Sequence, residues 1–263
     1  MKNLFSTPIK IIFEIKKLIF KINFKKDNFI EEQNRIFTKL GLDRIKGIEK
    51  LRSIINENSL KKNSMSSEHE IIFSAISLLN NFKANSILEI GTYDGRNAKL
   101  LSYLFSDSKI ITLDLDENDE DFKNYYHRSD KESFDNFINT RNQNLDSLKN
   151  VTFFKKNSLQ LLNYKGTFDL IWIDGAHGYP FVTIDIINSL KLISSKGIIL
   201  CDDIFINNFF ESDKMYRSIG GFETLKELQK ANLLKFDLIY KRLDAASLVP
   251  ENRKFIALIT PTF

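Results

Sequence analysis

Apolar runs of five or six residues alternate with helical patterns from about residue 86 onwards. Each run is rich in Ile, Leu, Val or Phe and ends at polar residues, which is typical of a strand buried on both faces of a parallel sheet. Because strands alternate with helices, the pattern predicts a doubly wound α/β sheet. The predicted strands are 86–90, 109–114, 151–155, 168–173 and 197–201, and the predicted helices between them are 96–106, 131–147 and 181–193.

Two further apolar runs, FDLIYK and KFIALI, follow a helical pattern at 221–231. They are joined by a loop that contains Pro250. Runs arranged in this way favour closing strands that include an antiparallel partner.

The N-terminal part of the chain shows helical patterns only. Two helices are predicted over 28–57, with a break near Gly41, and a polar segment follows. We therefore predict an N-terminal helical extension over residues 1–65 and a main domain over residues 66–263.

The first helix of the extension is predicted to be amphipathic and basic. Ile and Phe recur at helical spacing over 9–24, and residues 1–26 hold seven lysines against one glutamate, so this segment carries +6 and the rest of the chain −2 of the net +4. Three partners remain open: an anionic membrane surface, the protein's own main domain, and a second copy in a homo-oligomer. The main domain has no basic stripe with interleaved aromatics, so no nucleic-acid partner is expected.

The composition limits the classes of protein to which this chain could belong. No apolar stretch reaches the roughly 18 residues that a membrane-spanning helix needs. The only cysteine, Cys201, lies inside a predicted strand and cannot form an internal disulfide, which fits a reducing compartment. We expect a cytoplasmic protein, at the inner face of the membrane if the basic helix binds lipid.

Acidic residues follow two neighbouring predicted strands. Asp174 ends IWID, Asp202 and Asp203 end GIILCDD, and His177 lies in the loop after Asp174. Parallel strands end at the same edge of a sheet, where ligands bind, so the three carboxylates are predicted to converge on a hard divalent cation. An aspartate after a strand is also a common turn former or helix cap, and this reading stays open for each residue alone.

The segment SILEIGTYDGRNAKLL, at 86–101, predicts a strand, a glycine-bearing turn and a helix. Asp114 ends the next strand, where it could accept both ribose hydroxyl protons of a nucleoside. A dinucleotide-binding turn would need glycine in place of Tyr93 and Arg96, and Asp94 would repel a pyrophosphate. The motif therefore favours a cationic ligand.

These motifs resemble those of the class I S-adenosylmethionine-dependent methyltransferases, which have a Rossmann-like sheet. Glu89, Gly91 and Gly95 match the first motif of that superfamily. The IDGxHxY signature at 173–179 and the pair at 202–203 are similar to those of its metal-dependent O-methyltransferases, which include catechol methyltransferase and sugar-modifying enzymes related to macrocin methyltransferase. The resemblance covers about 66–263.

The resemblance implies a cofactor set, a metal set and a base. The residues that it places around S-adenosylmethionine are Glu89, Gly91 and Gly95 at the methionine end, Asp114 at the ribose and Ser158 near the adenine. The residues that it places around a divalent cation, Mg²⁺ in this branch, are Asp174, Asp202 and Asp203. His177 falls where the family has its general base.

The sequence therefore predicts metal-assisted methyl transfer to a hydroxyl of a sugar, glycan or glycosylated metabolite. The alternatives are a catechol-like acceptor, a dehydrogenase, and a non-catalytic membrane-docking or assembly module of a glycan-biosynthesis complex. The insert at 116–137 is predicted to wall the pocket, and the segment at 204–221 to cover it, with Asn207, Asn208 and Tyr216 near the acceptor. His69, in a capping-box pattern, and His127 are predicted to be structural or surface residues.

Overall fold

A computed structural model describes residues 6–60, 67–124, 130–207 and 218–263, with side chains from residue 11 onwards. It contains a seven-stranded sheet in the order β3-β2-β1-β4-β5-β7-β6. The first five strands are parallel, and β7 is antiparallel to both β5 and β6. The strands are β1 (Ser86–Ile90), β2 (Lys109–Asp114), β3 (Val151–Lys155), β4 (Phe168–Ile173), β5 (Ile193–Ile204), β6 (Leu234–Tyr240) and β7 (Phe255–Pro261).

The structure confirms the predicted fold class and the antiparallel closing strand. The first four strands match the predicted ranges, whereas β5 begins four residues earlier than the predicted 197 because it continues directly from the preceding helix. The helices are α1 (Ser6–Ile22), α2 (Lys26–Lys39), α3 (Arg44–Glu57), α4 (His69–Ile76), α5 (Arg96–Leu104), α6 (Glu120–Asn124), α7 (Lys131–Leu145), α8 (Phe181–Leu192) and α9 (Gly220–Lys230). A 3₁₀ helix, η1, covers Ser158–Asn163.

Both faces of the sheet are covered by apolar layers. Alternate residues of one strand enter different cores: Ile171 packs with residues of α8 and α9, whereas Trp172 packs with residues of α3, α4 and α5. Neighbouring side chains of a strand point to opposite faces, so a strand covered on both sides favours apolar residues at successive positions. The central strands are accordingly mostly apolar, and the buried polar residues Glu89 and Thr112 hydrogen-bond to each other.

The helices of the predicted extension contact the sheet through buried polar groups. Arg44 at the start of α3 donates to both carboxylate oxygens of Glu68, each at 2.7 Å. Gln33 of α2 exchanges hydrogen bonds with the backbone of Tyr240 at the end of β6. The boundary at residue 65 stays a prediction. Within the described ranges, no helix is both long and apolar enough to cross a membrane.

Candidate active site

A cavity of about 500 Å³ lies at the ends of β1, β2, β4 and β5, where a parallel sheet usually binds its ligands. Its wall brings together two groups of residues that are distant in sequence. One group follows β1, β2 and β3 and consists of Gly91, Tyr93, Asp114, Asn157 and Ser158. The other follows β4, β5 and β6 and consists of Asp174, His177, Asp202, Asp203 and Lys241.

The turn after β1 passes very close to the end of β4. A Cβ atom on Gly91 would lie 2.2 Å from the backbone oxygen of Asp174, and Gly91 has a φ of +99°, so this position requires glycine. Tyr93 also adopts a positive φ, of 49°, which explains how a tyrosine fits a turn that would suit glycine. The glycine therefore allows the turn after β1 to pack directly against the backbone at the end of β4.

Asp114 lies at the end of β2 on the cavity wall, as predicted. Its carboxylate accepts a hydrogen bond from the backbone N–H of Tyr93 at 2.9 Å and one from that of Leu115 at 2.8 Å. Each carboxylate oxygen can accept more than one hydrogen bond. The backbone contacts therefore fix the carboxylate while leaving it able to accept ligand hydroxyl protons.

Glu89 and Gly95 do not line the cavity, although the resemblance placed both at the methionine end. The Glu89 carboxylate is fully buried and accepts from Thr112 Oγ1 at 2.5 Å and Asn97 Nδ2 at 2.6 Å. Burial raises the pKa of Glu89 to about 7 despite these hydrogen bonds. A Cβ on Gly95 would lie 2.9 Å from Leu145 Cγ. Glu89 therefore contacts β2 and α5, Gly95 packs against α7, and both support the turn without lining the cavity.

Ser158 lines the cavity at the start of η1. The residue that caps η1 is Asn157, whose side chain accepts from the Leu159 N–H at 3.0 Å. Asp185 of α8, which the sequence did not indicate, also reaches the wall; burial raises its pKa to about 6 while a hydrogen bond with Ser158 opposes the rise. Phe122 lines the same cavity, which confirms that the insert at 116–137 forms a wall.

Asp202 and Asp203 lie side by side because β5 is irregular at this point. The register between β5 and β7 shifts between Cys201 and Ile204, and Asp203 has a φ of +55°. Consecutive residues of a regular strand would point to opposite faces of the sheet. The bulge and the left-handed residue allow both carboxylates to contact a single partner, Lys241.

Lys241 Nζ lies 2.5 Å from Asp202 Oδ2 and also donates to Asp203 Oδ1. Lys254 Nζ lies 2.5 Å from Asp203 Oδ2. Burial alone would lower the pKa of Lys241, but the carboxylates of Asp202, Asp203 and Asp174 outweigh it and raise the pKa above its usual range. Lys241 directly follows β6 and Lys254 directly precedes β7. Both lysines lie some 40 to 50 residues after the acidic pair in the chain.

The predicted divalent-metal site does not fit this arrangement. Three of the four oxygens of Asp202 and Asp203 already hold ammonium groups. The fourth, Asp202 Oδ1, is buried and has no hydrogen-bond partner among the described residues. In the part of the chain that the structure describes, no group of three or more His, Cys, Asp or Glu side chains is arranged to hold a metal ion. The carboxylates of Asp202 and Asp203 converge as predicted, but the cation between them is the ammonium group of Lys241.

Asp174 differs from the acidic pair because its ion-pair partner is His177, at 3.6 Å, whereas Asp202 and Asp203 contact lysines. Burial, followed by the Asp202 carboxylate, raises the pKa of Asp174 well above its usual value. For Asp203, burial would also raise the pKa, but His177, Lys241 and Lys254 outweigh it and lower the pKa far below its usual range. Neighbouring carboxylates in this site therefore differ strongly in proton affinity.

His177 is buried between two carboxylates. Its Nε2 lies 3.6 Å from both Asp174 Oδ1 and Asp203 Oδ2. Burial lowers the pKa of His177, and the nearby Asp203 and Asp202 carboxylates oppose this only in part. The lowered pKa keeps the imidazole neutral at pH 7, as a proton acceptor must be, and the carboxylates can stabilise the charge that appears when it takes a proton.

His69 is the first residue of α4, the helix that the capping-box pattern predicts, and it also lines the cavity, which the sequence did not indicate. Its ring stacks on Trp172 with centroids 5.4 Å apart, and its Nδ1 lies 2.7 Å from Ser67 Oγ. The Ser67 hydroxyl therefore contacts His69 instead of forming the predicted helix cap. Burial lowers the pKa of His69 to about 4. No local sequence signal places α4 over the site.

Some predicted residues cannot be assigned to this site. Asn207 is exposed and absent from the cavity wall. Asn208, Tyr216 and His127 lie outside the described residues.

Comparisons with known proteins agree with this fold. Residues 88–204 match the family model described as a methyltransferase domain. The structure of cofactor-bound Rv0187 from MTB aligns with a TM-score of 0.52 at 16% identity, covering 81% of this chain and 88% of that one. The comparison with curated proteins gave no match.

Two solved methyltransferases have the same architecture. The O-methyltransferase TomG from Streptomyces achromogenes, involved in tomaymycin synthesis and solved with SAM, aligns with a TM-score of 0.50 at 14% identity over 89% of this chain and 98% of its own. The O-methyltransferase from Bacillus cereus in complex with SAH aligns with a TM-score of 0.50 at 18% identity over 81% and 90%. At these identities the likeness concerns the fold. The predicted Rossmann-like α/β fold is confirmed, and residues 88–204 are similar to a methyltransferase domain.

Proposed function

We propose that this chain, which contains a methyltransferase domain of the class I fold, is an S-adenosylmethionine-dependent O-methyltransferase. The observation that carries the proposal is a single cavity whose wall includes Gly91 and Asp114 from the ends of β1 and β2 and His177 from the loop after β4. A cofactor site alone would not need a neutral buried imidazole between carboxylates. The cofactor site and the His177 imidazole together supply a binding site for the methyl donor and a base for the acceptor hydroxyl.

The residues around the turn after β1 fit S-adenosylmethionine. Gly91 brings the backbone of the turn close to the end of β4 on the cavity wall, Asp114 offers carboxylate oxygens to ribose hydroxyls, and Ser158 lines the same cavity. Asp94, in the same turn, disfavours the pyrophosphate of a dinucleotide. When bound, the cofactor would supply a methyl group activated by its sulfonium, and the sulfur would be the leaving group, as a neutral thioether.

His177 would remove the proton from the acceptor hydroxyl as its oxygen takes the methyl group. The neutral imidazole accepts the proton, and Asp174 and Asp203, each 3.6 Å from Nε2, stabilise the imidazolium. A positioned general base contributes about 10²- to 10⁴-fold to the rate of such a step. No step in this mechanism requires the divalent cation that the sequence predicted.

The acceptor end of the cavity supports a polyhydroxylated acceptor. Its wall carries charged side chains, among them Lys241, Arg242 and Lys254, beside the acidic cluster. Such groups hydrogen-bond to sugar hydroxyls, whereas a catechol ring would gain more from an apolar slot. We therefore propose a sugar, glycan or glycosylated metabolite as acceptor, with a catechol-like acceptor as the alternative.

An assay of methyl transfer tests this proposal directly. The full chain is incubated with S-adenosyl-[methyl-³H]methionine and with sugars, glycosides and catechols in parallel, and methylated products are separated. We expect label in a sugar-containing product. Label only in catechols would replace the proposed acceptor class. Cofactor binding without transfer to any compound would favour the non-catalytic assembly module.

We further propose that α1 binds an anionic membrane surface. Phe20 packs against the core of the main domain together with Phe24 and Phe29, whose rings stack with centroids 5.5 Å apart. The opposite side of α1 exposes large aliphatic side chains, each more than half accessible: Ile11, Ile12, Ile15, Leu18, Ile19 and Ile22. Lysines flank this row, so apolar insertion and attraction to anionic lipid act together.

Deletion of residues 1–26 is expected to abolish sedimentation with vesicles of phosphatidylglycerol and phosphatidylcholine. Binding by the intact chain should weaken with salt, because each surface lysine contributes about 1 kcal/mol that salt screens. The double variant Ile15→Asn and Ile19→Asn keeps every charge and should also lose binding. An intact chain that does not bind these vesicles would assign α1 to another partner, such as a second copy.

A further inference from the structure

The acidic cluster at the end of β5 is built around a cation that the chain provides itself. Lys241 lies 8% exposed and contacts both Asp202 and Asp203, which the bulge in β5 brings to the same side. A bulge with a left-handed aspartate costs free energy, so it persists where the surrounding contacts compensate it. Lys241 is the contact that both carboxylates share.

Charge balance supports the same conclusion. Two buried carboxylates need cationic partners, since unpaired buried charges are strongly unfavourable. Lys241 bridges the pair, and Lys254 takes the outer oxygen of Asp203. A divalent cation added to this arrangement would lie against an ammonium group, and their like charges would repel.

We infer that the Lys241 ammonium occupies the position of a divalent cation in this site and binds the acceptor oxygen there. The described contacts engage two of the three N–H donors of Lys241 with Asp202 and Asp203, and an ammonium group carries three. Lys241 also lines the cavity, with His177 on the same Asp203 carboxylate. The third N–H donates to the acceptor oxygen as its negative charge develops, while His177 takes the proton.

The acceptor role rests on the proposed methyl transfer, but the cation role does not. Mn²⁺ binding to the full-length chain therefore tests the inference without cofactor or acceptor. Isothermal titration calorimetry should detect no stoichiometric Mn²⁺ binding to the native chain. Lys241→Met removes the charge and retains most of the length, and it should bind one Mn²⁺ per chain at least about tenfold more tightly than the native chain.

Two variants serve as matched controls. Lys254→Met removes the neighbouring ammonium from Asp203 but leaves the Lys241 bridge, so it should show no stoichiometric Mn²⁺ binding, like the native chain. Lys241→Arg keeps a positive charge and should not bind Mn²⁺, and it covers the case in which Lys241→Met does not fold. Asp202→Asn added to Lys241→Met should abolish the new Mn²⁺ binding.

Activity provides a second readout once a methylated product is known. Loss of one donor to a developing oxyanion typically costs about 10²- to 10³-fold in turnover. Lys241→Met should show such a loss with unchanged S-adenosylmethionine affinity and should partly recover with Mn²⁺, whereas chelator should not slow the native enzyme. Stoichiometric Mn²⁺ binding to the native chain that Asp202→Asn removes would overturn the inference. Absence of Mn²⁺ binding in a folded Lys241→Met variant would also overturn it.

Discussion

His177→Ala should lower turnover by about 10²- to 10⁴-fold while S-adenosylmethionine still binds with native affinity. The imidazole is the neutral, buried proton acceptor beside Asp174 and Asp203, and it does not belong to the group of residues around the turn after β1. Removing it should affect proton transfer rather than cofactor binding. Turnover should recover in part at higher pH, where hydroxide can take the proton.

His177→Gln separates base catalysis from packing. Glutamine fills most of the space and can hydrogen-bond, but it cannot accept a proton at neutral pH. It should therefore be as slow as the alanine variant. Initial rates of methyl transfer for both variants, measured at saturating cofactor, check the prediction. A glutamine variant within tenfold of the native rate would show that His177 is not the base.

Asp114→Ala should weaken S-adenosylmethionine binding by about 10²- to 10⁴-fold. The carboxylate would accept hydrogen bonds from two ribose hydroxyls. Each hydrogen bond to a charged group contributes about 1.5–3 kcal/mol. The variant also frees the Tyr93 N–H, so the turn that forms the cavity wall loses a contact. Titration calorimetry with the cofactor measures the loss.

Asp116→Ala is the matched control for Asp114→Ala. Asp116 lies two residues further along the chain, where its side chain accepts from the Asn118 N–H and does not line the cavity. Its removal should leave cofactor affinity unchanged. Equal affinity of a folded Asp114→Ala variant and the control would exclude Asp114 from the cofactor site.

The sequence predicted the sheet well because its information there is local. Each central strand is covered on both faces, so a continuous apolar run such as 170–173 marks its buried part. The edge at which ligands bind follows from the strand direction. These two facts predict that Asp114, Asp174 and His177 lie on one cavity wall, as the structure has them.

Features that depend on distant contacts could not be predicted. The pairing of Lys241 with Asp202 joins residues 39 apart, and neither strand pattern indicates it. His69 reaches the cavity because α4 packs over Trp172, a contact between elements about 100 residues apart. Glu89 was assigned to the cofactor by motif, whereas its burial shows that it supports the turn from within the sheet.

The most direct test of the central claim is calorimetric titration of the full chain with S-adenosylmethionine and, separately, with NAD⁺. The account predicts that one S-adenosylmethionine binds per chain, because Gly91 and Asp114 form its site, and that NAD⁺ does not bind, because Asp94 repels a pyrophosphate. Binding of NAD⁺ with no binding of S-adenosylmethionine would contradict the account and favour the dehydrogenase.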